Sequence, residues 1–161
     1  MEAPICIRPA TLADAGIISR IIERSIRIGC ALDHRNDPQR VSTWIAQQSA
    51  DFISARLADP HCYLCIALLA DKPVGVGMAQ ASGDILLCYV QPESFRRGVG
   101  RALMQDLEGW LRVRGALHAD LNSTHTGQEF YRRLGYRESA PPLEYQGLPI
   151  LPMRKPMASP V

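Results

Sequence analysis

The segment Ile85-Leu86-Leu87-Cys88-Tyr89-Val90 reads as a buried strand, and Val99, Leu103, Leu107, Trp110 and Leu111 recur at the spacing of one helix face. Between them stands Gln91-Pro92-Glu93-Ser94, which must turn because Pro92 has no N–H to give to a ladder. The loop Phe95-Arg96-Arg97-Gly98-Val99-Gly100 follows. A strand feeding a glycine-containing loop that opens a helix constrains the fold more than any other feature of this chain. It demands a sheet with that helix packed on it. It also sets free N–H groups and the positive end of a helix dipole above the strand end. Gly98 and Gly100 allow the backbone to approach phosphate oxygens, and Arg96, Arg97 and Arg101 surround them with positive charge. The pattern fits an anion site, although a plain glycine loop with solvated arginines has the same spelling.

The remaining elements follow from period and punctuation. Ile5-Cys6-Ile7-Arg8 is a short strand, and Thr11 with Asp14 starts a helix whose Ile17, Ile18, Ile21, Ile22 and Ile26 predict a run to about Ile28. Gly29 and the segment Asp33 to Pro38 end it. Trp44, Ile45, Phe52, Ile53 and Leu57 predict a second helical region broken near Ser49. From Cys62 the period becomes two: Cys62–Ala70 and Val74–Ala81 form a hairpin across Asp71-Lys72-Pro73, and Ser82-Gly83 turns the chain into Asp84–Val90. A helix from Val99 to Arg114 stops at Gly115, and Leu117–Asn122 is a strand. Thr126-Gly127-Gln128-Glu129 has capping-box spacing for a helix ending at Gly135. Tyr136–Tyr145 and Leu148–Met157 are two final strands, interrupted by Pro141-Pro142 and turning at Gln146-Gly147, and residues from about 157 to 161 are expected to be disordered. The sum is one α/β domain over residues 1–161, a mixed, mostly antiparallel sheet of about seven strands flanked by about four helices.

Composition narrows the function classes. With 161 residues, 47% of them apolar, a single core forms without metal or disulfide support. A net charge of +2 with no basic run argues against nucleic acid, and Cys62–Ala70 is far too short to span a bilayer. The start Met-Glu-Ala-Pro-Ile-Cys lacks a basic region followed by an apolar core, and five cysteines is an odd number. Both point to a cytoplasmic protein with reduced thiols. Cys62-Tyr63-Leu64-Cys65 imitates a metal or redox pair, but on a strand residues three apart face opposite ways, so these thiols read as structural. Cys30 near His34 reads the same way, and no metal is expected.

Two blocks together carry a family resemblance. Phe95-Arg96-Arg97-Gly98-Val99-Gly100 is similar to the pyrophosphate motif Q/R-x-x-G-x-G/A of the GNAT superfamily of acyl-CoA-dependent N-acetyltransferases. Leu121 to Tyr136, with Phe130-Tyr131-Arg132-Arg133-Leu134-Gly135-Tyr136, resembles that family's second signature, and Gly147 to Lys155 resembles its closing strand. The first motif position, usually Gln or Arg, is Phe95 here, which leaves backbone N–H groups and the neighbouring arginines to hold the anion.

The resemblance implies a GNAT fold and acetyl transfer from acetyl-CoA to a primary amine, on a small molecule or a peptide, through a ternary complex. It implies no membrane or nucleic-acid partner, and homodimers occur in the family. Pantetheine would run along Cys88, Tyr89 and Val90, the Val90 N–H would polarise the thioester carbonyl, and Asn122 would bond pantetheine. The pyrophosphate would lie on Arg96, Arg97, Gly98, Val99, Gly100 and Arg101. Tyr131 would bind the thiol end and act as the acid for the departing thiolate, since a phenol is protonated at neutral pH. Asp84 is the candidate base, six residues before Val90 and on the same face as Leu86, Cys88 and Val90 by strand parity. A solvated turn residue after Ser82-Gly83 is the equal alternative; His118, His125 and ordered water are others. Asp33 and Asp37 stand on the acceptor side, where they can attract a cationic amine or simply be solvated. A P-loop protein is excluded by the missing Gly-Lys-Ser/Thr. A non-catalytic acyl-CoA sensor of the same fold is the rival reading.

Overall fold

Alternating side chains on the central strands build two cores, one on each face of a sheet. The structure, a computed structural model, describes residues 4–145 and 147–157. Strand β1 (Ile5–Pro9) leads through a 3-10 turn (Leu12–Asp14) into α1 (Ala15–Arg24), a π-helical turn (Ser25–Gly29), α2 (Ala31–His34), α3 (Pro38–Ala46) and α4 (Ala50–Ala58). Then come β2 (Cys62–Leu69), β3 (Lys72–Gln80), β4 (Ile85–Val90), α5 (Val99–Val113), β5 (His118–Ser123), α6 (Gln128–Arg133), β6 (Arg137–Glu138), β7 (Leu143–Tyr145) and β8 (Leu148–Pro156). Strands β1-β2-β3-β4 make one antiparallel sheet, and β5-β8-β6 make a second, with β7 paired to β8.

On β2, Leu64 and Ile66 face the core beneath α1 and α4, whereas Cys65 and Ala67 face the core beneath α5. Cys62 and Cys65 thus lie on opposite faces, in different cores. On β3 the α5-facing positions are Gly75 and Gly77. A Cβ on Gly77 would stand 2.9 Å from Leu107 Cδ1 and 3.3 Å from Cys65 Sγ, so the missing side chain is what lets α5 lie this close to the sheet.

The first helix starts where Thr11 and Asp14 predict. The Asp14 carboxylate takes the Thr11 N–H at 2.8 Å and both guanidinium arms of Arg8 at 2.9 Å. Those hydrogen bonds, Arg8 foremost, hold its pKa well below the ordinary carboxylate value despite burial. A depressed pKa gives stability that is complete above the unfolded value near 4 and is lost as pH falls through the folded one. Asp14→Ala should cost about 2 kcal/mol at pH 7, below the usual figure for breaking a buried pair because Arg8 is 38% exposed. In urea titrations the gap between wild type and variant should shrink below about pH 4; a gap independent of pH would remove the ion pair from the account.

The structure departs from the sequence reading at three places and bears it out at two others. The first α-helix ends at Arg24, not Ile28, because the backbone continues as a π turn over Ser25–Gly29. The second helical region breaks at Ser49 as expected, into two helices capped separately by Asp37 and Ser49, whose side chains accept from Gln39 and Arg40 and from Phe52. The stretch Tyr136–Tyr145 is interrupted at Pro141-Pro142 as expected, and its two pieces, β6 and β7, bring the strands to eight among the described residues. Gly127, not Thr126, is the N-cap of α6, because the Thr126 hydroxyl is committed to Asp33. The last departure is on β4. The register slips between Met78 and Ala79, so Leu86 is an extra residue and 39% exposed. Residues 158–161 of the expected tail lie outside the described residues, as does Gln146 of the expected turn; Met157 is buried, its N–H bonded to Leu117 O at 2.9 Å.

Candidate active site

Strand β4 is laddered to β3 along its length but meets β5 at one end only, through a parallel bridge between Asp84 and Asp120 and the Asp120 N–H to Gly83 O bond at 2.9 Å. Toward Val90 and Ser123 no ladder joins the two strands among the described residues, which leaves an opening between the sheets. The Gln91 N–H bonds Val74 O at 2.8 Å. Bonding direction alternates along an antiparallel strand, so the N–H of Val90 points the other way, into the opening.

The anion loop closes one end of that opening. Arg96 at φ 63° and Gly98 at φ 83° reverse the hand of the chain just before α5, which turns the first N–H groups of the helix outward as a concave set. No side chain caps this helix start. Arg96, Arg97 and Arg101 are exposed and have no carboxylate within 4.0 Å among the described residues. A Cβ on Gly100 would stand 3.0 Å from the Phe130 ring, so the two sequence signatures meet at a position where a larger side chain would displace that ring. Phe95 is 48% exposed and packs on Gly29, whose Cβ would stand 3.1 Å from its ring; it brings no charge to the loop. A groove of about 390 Å³ continues from the loop between α5 and α6, past Arg101, Phe130 and Arg133.

Tyr131 stands over the opening. Its ring lies edge-on to Phe130 at 5.1 Å and to Tyr136 at 5.9 Å, and a Cβ on Gly127 would stand 3.3 Å from it. Its hydroxyl has no hydrogen-bond partner among the described residues. Burial, with the fields of Cys88, Tyr89 and Cys30 added, pushes its pKa well above 10 and keeps the phenol protonated. Burial likewise raises the Cys88 and Cys30 thiols to about 12. Asn122 is exposed at the end of β5, beside buried Ser123.

Asp84 does not share the surroundings expected of it. The bulge at Leu86 breaks the parity that put Asp84 with Cys88 and Val90; Ile85 joins those two in the α5-side core instead. Asp84 accepts the Ser82 hydroxyl at 2.8 Å in the turn, at the joined end of the two strands. Six strand residues put it roughly 15–20 Å from Val90. On the opposite face of β4, Tyr89 has its hydroxyl bound by Trp44 Nε1–H at 2.9 Å, and Trp44 lies edge-on to His34 at 6.1 Å. The periodicity that placed Trp44 in the core gave no sign of this bond, though an indole N–H always needs a partner.

A split sheet with an N–H aimed into the split, an anion loop at one end and a protonated phenol above it defines a class: acyltransferases that take their acyl group from a phosphate-bearing thioester. The chain belongs to the GNAT acetyltransferases, its residues 32–157 matching the family model for the acetyltransferase (GNAT) domain. It is therefore an acyltransferase. Among solved structures it is similar to a GCN5-related N-acetyltransferase from Rhodopseudomonas palustris, at 26% identity and TM-score 0.85 over 97% of this chain and 98% of that one. It shares its fold with the PaiA N-acetyltransferase of Thermoplasma acidophilum in complex with coenzyme A, at 16% identity and TM-score 0.80 over 95% and 99%. It also shares the fold of the ribosomal-protein-S18-alanine N-acetyltransferase of Escherichia coli, at 16% and TM-score 0.73 over 98% and 97%. No curated protein sequence matches it. No helix among the described residues is long and apolar enough to cross a membrane.

Proposed function

We propose that this protein moves an acetyl group from acetyl-CoA to an amine by direct attack within a ternary complex. The observation that carries the proposal is the opening between β4 and β5, with the Val90 N–H on one wall and Tyr131 above it. Coenzyme A is bound in the Thermoplasma relative, and the cradle here fits its pyrophosphate: positive φ at Arg96 and Gly98, no Cβ at Gly100, and unpaired arginines around the helix start. Acetyl-CoA supplies an acyl group on a thiolate leaving group. The first N–H groups of α5 hold its phosphates, strand β4 lines its pantetheine, and the Val90 N–H polarises the carbonyl as charge builds on its oxygen. The Tyr131 O–H gives its proton to the departing sulfur. Thiols held protonated at Cys88 and Cys30 are poor nucleophiles, which favours direct transfer over an acyl-enzyme. Asp84, far along the strand, takes no proton step in this reading, and water carries the amine's proton away.

Purified protein given acetyl-CoA and a panel of amines, with free thiol followed by absorbance, tests this. Thiol should appear continuously and only when both substrates are present. A burst of thiol without any amine would establish an acyl-enzyme instead. Tight CoA binding with no turnover on any amine would make the protein a non-catalytic acyl-CoA binder.

A further inference from the structure

The Tyr131 hydroxyl has no partner among the described residues, so nothing at its polar end sets where it points. The ring is set by what it packs on: Phe130 edge-on at 5.1 Å, Tyr136 edge-on at 5.9 Å, and Gly127, whose Cβ would stand 3.3 Å away. Phe130 shares α6 with Tyr131 and shifts with it, and Gly127 offers no side chain. Tyr136 is tied to other elements. It follows Gly135 at φ 101°, its N–H bonds Tyr131 O at 3.0 Å, and it is fully buried. Its hydroxyl donates to Glu108 Oε2, on α5, at 2.8 Å.

Glu108 breaks the helix pattern, since it is buried on the same side of α5 as Leu107 and Leu111. Its Oε1 accepts from Lys155 Nζ of β8 at 2.9 Å, and Arg112 Nη2 lies 3.6 Å from the same oxygen. The Lys155 stem lies against Gly135, 3.4 Å from where a Cβ would stand. Replacing a buried ion pair by apolar residues of the same volume is often neutral or stabilising, so stability does not account for a carboxylate here. Direction does. One oxygen holds the Tyr136 phenol and the other holds β8, so Tyr136 is referred to α5, the helix that carries the anion cradle at its first turn.

We propose that Tyr136, held by Glu108, is a positioning residue for the proton transfer: it fixes the Tyr131 ring so that the hydroxyl meets the departing sulfur. The proposal rests on the reading of Tyr131 as the acid. A hydrogen bond tolerates only about half an ångström in length, and a small tilt of a ring moves the oxygen at its far end by more than that. Tyr136→Phe keeps the packed ring and cuts its tether, which frees both rings to rock together.

The test is a double-mutant cycle on kcat, with CoA affinity read by calorimetry. Tyr136→Phe should lower kcat about tenfold and leave CoA affinity within about twofold. In the Tyr131→Phe background the same change should cost nothing further, because no hydroxyl is left to aim. Glu108→Gln still offers the phenol an amide oxygen and should stay within about threefold of wild type. An unchanged kcat in Tyr136→Phe, a loss repeated in full in the Tyr131→Phe background, or a Glu108→Gln variant as slow as Tyr136→Phe would overturn the proposal. If no amine is turned over, or Tyr131→Phe leaves kcat unchanged, the acid reading fails and the tether is read directly from 3-fluorotyrosine placed at position 131. A single sharp fluorine resonance that broadens or splits in Tyr136→Phe supports the positioning, and an identical resonance in the two proteins overturns it.

Discussion

Tyr131→Phe is expected to lower kcat about a hundredfold while leaving the affinity for acetyl-CoA within about threefold, the usual scale for losing one positioned acid. The reasoning starts from what the substitution removes. A phenylalanine keeps the edge-to-face contacts with Phe130 and Tyr136 at 5.1 and 5.9 Å. The hydroxyl makes no hydrogen bond within the described protein, so no structural partner is orphaned and the melting temperature should scarcely move. What disappears is one proton donor at the opening, in a site that burial keeps protonated. The contacts proposed for pantetheine along β4 and for the phosphates at α5 are untouched, which separates kcat from binding. Steady-state rates together with calorimetry on CoA check both halves. An unchanged kcat would pass the proton transfer to water and remove Tyr131 from the chemistry.

Most of the fold was legible because its signals are local. The stripe Val99, Leu103, Leu107, Leu111 is buried as its spacing predicts, and Ser49 breaks the second helical region by capping a new helix. The two signatures were legible one at a time; their contact, Gly100 against Phe130, is a tertiary fact. The misses have the same physical origin. Leu86 looks like any strand residue, and it becomes a bulge only because β3 is one step shorter between Met78 and Ala79. That slip moved Asp84 off the face assigned to it. Thr126 has the spelling of a helix cap, yet its hydroxyl goes to Asp33, which stands far away in sequence. The π turn at Ser25–Gly29 uses residues that suit an α-helix equally well. One of its carbonyls, Ile26 O, is met by a side chain that follows the turn in the chain, and no window of periodicity contains that.

That side chain, His34, carries the second large effect: His34→Ala should cost about 3–4 kcal/mol of folding stability, a large part of the reserve of a domain this size. His34 is fully buried, with Nε2 2.7 Å from Ile26 O and Nδ1 accepting the Asn36 N–H at 2.9 Å. Because Nδ1 accepts, Nε2 carries the proton and donates it to the Ile26 carbonyl. A π turn leaves carbonyls without their regular helical donors, and this imidazole supplies one. Alanine leaves that carbonyl unpaired in the core, frees the Asn36 N–H, and opens a hole beside Trp44. His34→Gln can still donate to Ile26 from its amide, so it should cost only about 1–2 kcal/mol. Thermal melts should show a loss of roughly 10 °C for the alanine variant and a third of that for glutamine. The same turn leads into Cys30 and Asp33, and Asp33 bonds Thr126 in the loop before α6, so amine KM should rise in the alanine variant while CoA affinity, set at the far end by α5, holds. Equal losses in the two variants would mean that ring volume, not the bond to Ile26, shapes the acceptor side.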